Sequence, residues 1–482
     1  MEKTDYFAPL RNFFRPLTSR YSEVRACTLC KLEEWVAGCL PETVFPPKAE
    51  EKTNSRDRIY TPKRTFFCLL WQCLQPECSG REVVRQLQAL FQLKGGPKIS
   101  EADTAYCRAR ARLPQSILID ALGASGRAAD QCSGPSHSGL RGRPLKVVDG
   151  TTVLLPDTKK NRSRYPAVQS SPPNFPLMRL VVLFSLASGA ALALAQGSLH
   201  ESELALFQTL FAQLVRGDIV IGDRGFGCYT ILALLQGLGV DFVGRTTRRL
   251  DPPPRKQRLG PDQWLMTWSR PTKASPWVTL ATWMGLPTQV TVRVVRAQVT
   301  AKGMRVRQVC VVTTLLDSTL YPAEEILAAY LQRWRLEICL NDLKTTLHMQ
   351  MLRGRSPASV QQEAYARFLA HNLIRWTIAQ AAHAYGRRWA QISFKGTLDA
   401  VRQFSLAMSQ SRSQRERRLL WDELLRILAK DLIPHRPGRR EPRAIKRKKN
   451  KYPRLNDARH LFRDHPKRHE RRARARLRAL VA

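Results

Sequence analysis

The chain has 482 residues, enough for several domains with cores of their own, and 43% apolar with 24% charged residues excludes a wholly disordered protein. Lys and Arg total 79 against 39 Asp and Glu, a formal net charge of +40 that seeks a polyanion as partner. The residues from Arg436 to Ala482 hold 19 of those cations and 4 acids, a net +15 that leaves +25 on the rest, so both tail and body favour extended contact with phosphates.

The first residues, MEKTDYFAPLRNFF, lack an apolar signal core, which predicts a cytoplasmic protein. Cys27 and Cys30 form a C-x-x-C, but Cys68, Cys73 and Cys78 do not supply the second pair of a zinc site, and 11 cysteines, an odd number, point to free thiols. From about Arg56 to Ser125 the signals are helical. Thr61-Pro62 caps one start, Ser79-Gly80-Arg81-Glu82 reads as a capping box, and Ser100-Glu101 opens a third helix. That helix carries Arg108, Arg110 and Arg112 near its end, where cations suit the helix dipole as well as a DNA backbone. Residues 1–140 are taken as a helical DNA-binding domain, closed by the Ser, Gly and Pro-rich stretch from Gln131 to Arg143.

Residues 141–244 then alternate strands and helices, the pattern of an α/β layer with a mixed sheet. LKVVDGTTVLL is a strand pair or a strand entering a turn, and LVVLFSL and ALALAQ are two more strands. Interrupted by Ser185 and Ser188-Gly189, the stretch from Leu180 to Ala195 is too short and too broken to span a membrane. Glu201 to Val215 predicts a helix, DIVIGD a strand, and Tyr229 to Leu238 a helix. His200, just ahead of a helix, reads as part of a cap or turn rather than a metal ligand. Residues 245–304 change texture, with Pro252-Pro253-Pro254, four tryptophans (Trp264, Trp268, Trp277, Trp283) and runs such as QVTVRVV, and are taken as a β-rich insertion. Residues 305–410 resume the core with RQVCVVTTLL and a long helix opened by Tyr321-Pro322-Ala323-Glu324-Glu325, and residues 411–482 form a helical region with the basic tail.

Two acids emerge from apolar strands, Asp149 after Lys146-Val147-Val148 and Asp223 after Ile219-Val220-Ile221-Gly222. An unpaired carboxylate in such a place is costly, so each should be paired, cap a helix, or bind a cation. A third acid lies in YLQRWRLEICLNDLK. On a straight helix Tyr330, Arg333, Glu337 and Lys344 fall at about 0°, 300°, 340° and 320°, one narrow face. Leu331, Trp334 and Ile338 occupy the neighbouring arc and are expected to dock on the sheet. An Arg333–Glu337 salt bridge on an exposed face is the plain alternative. Yet a row of this length suits a DNA strand crossing one carboxylate with cations on either side.

Tyr, two residues, Arg, three residues, Glu, six residues, Lys is the signature of one group of bacterial insertion-sequence DDE transposases, and Tyr330, Arg333, Glu337 and Lys344 match every spacing. The contexts VVDGTT and VIGDRGFGCY also resemble that group's first and second aspartate motifs. The resemblance implies a ribonuclease H-like catalytic core with a β-rich insertion, an α-helical N-terminal domain and a helical, basic C-terminal region. It implies metal-dependent cut-and-paste transposition: cleavage at the element's ends, a hairpin intermediate, and strand transfer into target DNA. Asp149, Asp223 and Glu337 would be catalytic and hold two Mg²⁺ ions, for which Mn²⁺ can substitute.

Arg333, Lys344, Tyr330 and Trp334 would contact DNA, the last by stacking on a flipped base. The implied partners are double-stranded DNA, as terminal inverted repeats and target, and a second copy of the chain in a synaptic dimer; the implied setting is the bacterial nucleoid, with no membrane. Two rival readings are a ribonuclease H-like nuclease that cleaves without joining, and an inert DNA-binding protein that kept the fold.

Overall fold

A computed structural model describes residues 32–45, 59–93, 98–133, 139–166, 175–248, 250–252, 258–298, 308–411 and 413–434. Cys27, Cys30 and the basic tail from Arg436 lie outside the described residues.

The N-terminal region is helical: α1 (Leu32–Val36), α2 (Pro62–Leu74), α3 (Gly80–Leu93), α4 (Thr104–Arg112) and α5 (Gln115–Ser133). Thr61 accepts from the Arg64 N–H with Pro62 in the first helical position, so α2 starts where the sequence marks it. Ser79 and Glu82 exchange the two bonds of a capping box at the head of α3. The third start is displaced. Ser100 spends its hydroxyl on the Ala102 N–H at 3.3 Å, a local turn that competes with helix, and α4 begins only at Thr104.

The α/β layer follows as β1 (Gly139–Leu140), β2 (Arg143–Leu154), α6 (Lys159–Arg164), β3 (Leu177–Ser185), β4 (Ala191–Ser198), α7 (Glu203–Gln208), β5 (Ile219–Gly222), α8 (Tyr229–Gly237) and β6 (Asp241–Gly244). LKVVDGTTVLL is one long strand, not a pair. The helix expected from Glu201 to Val215 is reduced to α7 and a separate 3₁₀ turn at Phe211–Gln213. Pairing is antiparallel for β4 on β3 and β3 on β2, then parallel for β2 on β5 and β5 on β6. One antiparallel meander flanked by parallel strands, with the first strand in the middle, is the strand arrangement of a ribonuclease H-like fold.

The next residues extend the same sheet. β7 (Arg258–Gly260), β8 (Gln263–Ser269), α9 (Leu280–Met284), β9 (Gln289–Gln298) and β10 (Gln308–Thr313) follow in the chain. The sheet order is β4-β3-β2-β5-β6-β10-β9-β8-β7, with β10 antiparallel to β6. Buried Arg293 ties this part to the chain beyond it, donating to the Tyr321 carbonyl at 2.7 Å and to Gln263.

The C-terminal helices are α10 (Ala323–Gln332), α11 (Trp334–Asn341), α12 (Pro357–Ala384), α13 (Phe394–Gln410) and α14 (Gln414–Leu428). α12 is buried around most of its circumference and sits inside the molecule, packed on α5, α2, β4, α13 and α14. Its buried Asn372 closes the edge of β4, accepting from Ala191 N–H at 2.8 Å and donating to Ala191 O at 2.7 Å. No described helix is long and apolar enough to cross a membrane.

Two apolar clusters cover the two faces of the sheet, and strand alternation assigns each residue to one of them. Val147, Ile219, Ile221 and Val243 face the side covered by α2, α5 and α10 to α14. Val148, Val220 and Phe242 face the side covered by α7 and α8.

Candidate active site

The register places the two strand acids side by side. Val148 pairs with Gly222 and Gly222 with Gly244 across three parallel strands, so the next residues, Asp149, Asp223 and Arg245, form a row at one level. By alternation this row shares the side of Val147, Ile221 and Val243, the side covered by α10 and α11. The preceding or following glycines fall on the opposite side. There a Cβ on Gly222 would lie 2.8 Å from the Phe242 ring, and one on Gly150 would lie 2.9 Å from the Glu203 carboxyl. Gly227 is tighter than either, since its Cβ would sit 2.0 Å from the Arg245 carbonyl. The glycines of VIGDRGFG therefore allow the loop after β5 to press against the end of β6.

The third acid arrives on a helix that is not straight. α10 ends and α11 begins at Arg333, where Arg333 N–H bonds Tyr330 O and Leu336 N–H bonds Arg333 O, both at 3.0 Å in i→i−3 fashion. After Asn341 the chain widens into a π turn, Asp342–Thr346, closed by Leu347 N–H to Asp342 O at 2.9 Å. Such turns frequently occur at functional sites. Lys344 lies in that turn, so its placement by uniform helical spacing does not carry over.

Five of the seven residues singled out from the sequence share one electrostatic neighbourhood. Burial pushes the Asp149 carboxyl above its ordinary range; its bond from Gly150 N–H, at 2.8 Å, and the Arg333 charge oppose this, while Asp223 and Glu337 add to it. Arg333 is the cation among the acids, 3.4 Å from Glu337 and 14% exposed in its side chain. Burial disfavours its charge, but Tyr330, Asp223, Asp149 and Glu337 outweigh that and hold it above the usual range. Tyr330 is buried with its ring centroid 6.0 Å from the Arg333 guanidinium, and burial raises its phenol, helped by Asp223. The Arg333–Glu337 pair thus exists, but inside an acidic site and not as an isolated surface bridge.

Trp334 and its neighbours depart from expectation. Leu331, Trp334 and Ile338 are 45%, 57% and 44% exposed, so this arc does not dock on the sheet. The break at Arg333 lets Ile326, Tyr330 and Leu336 take the buried side instead. Sequence reasoning also passed over Arg245, which is half-buried and close enough to Tyr330 for its charge to be felt. Its only signal is positional, one residue past the strand beside Asp223.

Among the described residues no group of three or more His, Cys, Asp or Glu side chains converges closely enough to hold a metal ion. The donor chemistry nonetheless fits hard divalent cations, because the acids that repel one another around Asp149 are all carboxylates.

A family model described as "Transposase DDE domain" matches residues 140–373, the span that contains all three acids. The chain is a transposase of the DDE class. It is 26% identical over 455 residues to the transposase InsG for insertion sequence element IS4 from Escherichia coli strain K12, covering 91% of this chain and 96% of that one. A solved piggyBac transposase synaptic complex with hairpin DNA aligns over 87% of this transposase and 86% of that chain, at 11% identity and a TM-score of 0.38. DDE transposases cleave DNA and transfer strands, which favours joining over the cleave-only reading.

Proposed function

We propose that Asp149, Asp223 and Glu337 are the catalytic acids of this transposase and hold two Mg²⁺ ions, with Mn²⁺ able to replace them. The observation that carries this reading is the level row of Asp149 and Asp223 on adjacent parallel strands, with Glu337 and Arg333 within their electrostatic reach. Bound there, the two ions would activate the attacking water or 3′-hydroxyl and stabilise the leaving oxygen. The protein's own groups do the rest. Arg333 tempers the repulsion among the acids before cations bind and can then turn its guanidinium fork to a phosphate. Arg245 and Tyr330 close the row on the β6 side. Lys344 grips a phosphate further along the strand, and Trp334, exposed beside Arg333, offers a stacking face to an unpaired base.

The substrate ends are inverted repeats bound by a dimer of this chain, with cleavage through a hairpin and action at the nucleoid. The name of the IS4 relative and the matched signature support an insertion-sequence substrate. The decisive experiment incubates the parent and Glu337→Ala with the gene's own flanking DNA and Mg²⁺, then resolves products on a denaturing gel. End-specific nicks and hairpins from the parent alone are expected; equal cutting by Glu337→Ala overturns the assignment.

A further inference from the structure

The side of α11 turned away from Glu337 bears a second feature. At about 100° per residue Arg335, Ile338 and Asp342 lie about 160°, 100° and 140° around the helix from Glu337, within one arc of about 60°. These three residues, with Arg375 of α12, Trp389, and Phe394 and Lys395 at the head of α13, line a pocket of about 160 Å³. Arg375 is its floor: it is buried, stacked with its guanidinium 5.0 Å from the Trp389 ring and 4.9 Å from the Phe394 ring, and bonded to Asp342 at 2.6 Å. Around it sit cations without acid to spare. Arg335 makes its bond to the neutral Gln332 at 3.0 Å and, among the described residues, no ion pair, while Arg388 is near enough to repel it. Lys395 is 67% exposed and shares Asp399 with Arg402.

We propose that this pocket receives a phosphate of a DNA strand, held by Arg335 and Lys395, with the adjoining sugar or base against Trp389 and Ile338. Size supports a fragment of a polymer, since sites for whole drug-sized molecules enclose roughly 300–1,000 Å³. Charge supports it as well. Ile433 forms one wall, and Leu432 bridges to Ile392; in the sequence a stretch holding 19 Lys and Arg begins at Arg436, three residues beyond that wall. The net +40 of the chain and the cations lining the pocket favour a polyanion as its occupant. The phosphate belongs either to the element's end or to other duplex, because backbone chemistry is the same in both.

The inference rests on DNA as substrate, not on which acids cut it, and the test separates the two by omitting divalent metal. Full-length parent and Arg335→Gln/Lys395→Gln are titrated into fluorescent duplexes, one carrying the element end and one unrelated, in EDTA across a salt series. Loss of both cations facing that phosphate lowers the log–log salt slope by about 0.9 and weakens binding a few-fold near physiological salt. A loss on both duplexes assigns the pocket to any passing backbone; a loss on the end duplex alone assigns it to the element. Lys395→Gln alone changes an exposed side chain, leaves the fold intact, and gives about half the slope change. Unchanged slope and affinity on both duplexes for the double and single variants overturn the proposal.

Discussion

The segment from Ala323 to Thr346 separates two charged environments of opposite balance. On one side Asp149, Asp223 and Glu337 surround Arg333, with Arg245 at the margin, so carboxylates exceed guanidiniums. On the other, Arg335, Arg375 and Lys395 line one pocket with Asp342, Arg388 lies within electrostatic reach of Arg335, and Arg375 stacks on the Trp389 and Phe394 rings. The same segment can serve both because past its break at Arg333 it is anchored by one buried apolar edge, Leu336, Cys339, Leu340 and Leu343. A surplus of carboxylate attracts cations, and a surplus of guanidinium with flat apolar faces attracts phosphates and bases. The sign of the imbalance, not the density of charge, assigns the roles.

The largest expected effect tests the acidic side. Glu337→Ala removes one of three proposed ligands, and cleavage in Mg²⁺ should fall by at least ~1,000-fold while DNA binding in EDTA stays within about twofold. Single-turnover cleavage and a binding titration on the same preparation read both. Loss of binding in parallel with cutting would mean that Glu337 holds the segment in place instead of acting in the site. Arg333→Ala comes next, with a fall of ~100-fold in cleavage, because the acids lose the cation that interacts with all three. Arg333→Lys should recover little, since Lys cannot reproduce a planar fork. Full recovery by Lys would reduce Arg333 to a diffuse charge.

Much of the acidic side was legible in the sequence, and for a physical reason. Strand alternation and the apolar runs before Asp149 and Asp223 are local patterns, and parallel register then aligns them with no further information. Glu337 was legible through its spacing to Tyr330, Arg333 and Lys344. The basic side was not, because Arg335, Arg375 and Lys395 come from three separate helices and meet only through the packing of α12. Uniform helical spacing also misjudged Leu331, Trp334 and Ile338, since i→i−3 bonds at Arg333 rotate the following residues relative to those before. Residue spacing alone does not disclose such a break.

Lys344→Ala is a milder test of where the two sides join. Removing one phosphate contact should lower the salt slope for end DNA by about 0.9 and weaken binding a few-fold, with cleavage at saturating protein nearly preserved. A salt slope equal to the parent's would place Lys344 away from DNA and restrict the grip to Arg333 on one side and the Arg335 pocket on the other.

The smallest effect depends on Asp342. Burial raises its carboxyl to about 6 despite the Arg375 guanidinium at 2.6 Å, so it is ionised at pH 7.5 and mostly protonated at pH 5.5. The raised value means that the folded chain holds this proton more tightly than the unfolded one between about pH 3.8 and 6, and any stability from it is present in acid and lost as pH rises through that window. For binding the consequence has a definite sign. Protonation removes the one carboxylate bonded to Arg375 and makes the pocket more cationic, so DNA affinity should rise a few-fold as pH falls from 7.5 to 5.5. Asp342→Asn isolates this group from any other that titrates over the range: it lacks the Asp342 titration and should show a smaller rise. An equal rise in parent and Asp342→Asn would take Asp342 out of the account and leave the pocket's charge constant with pH.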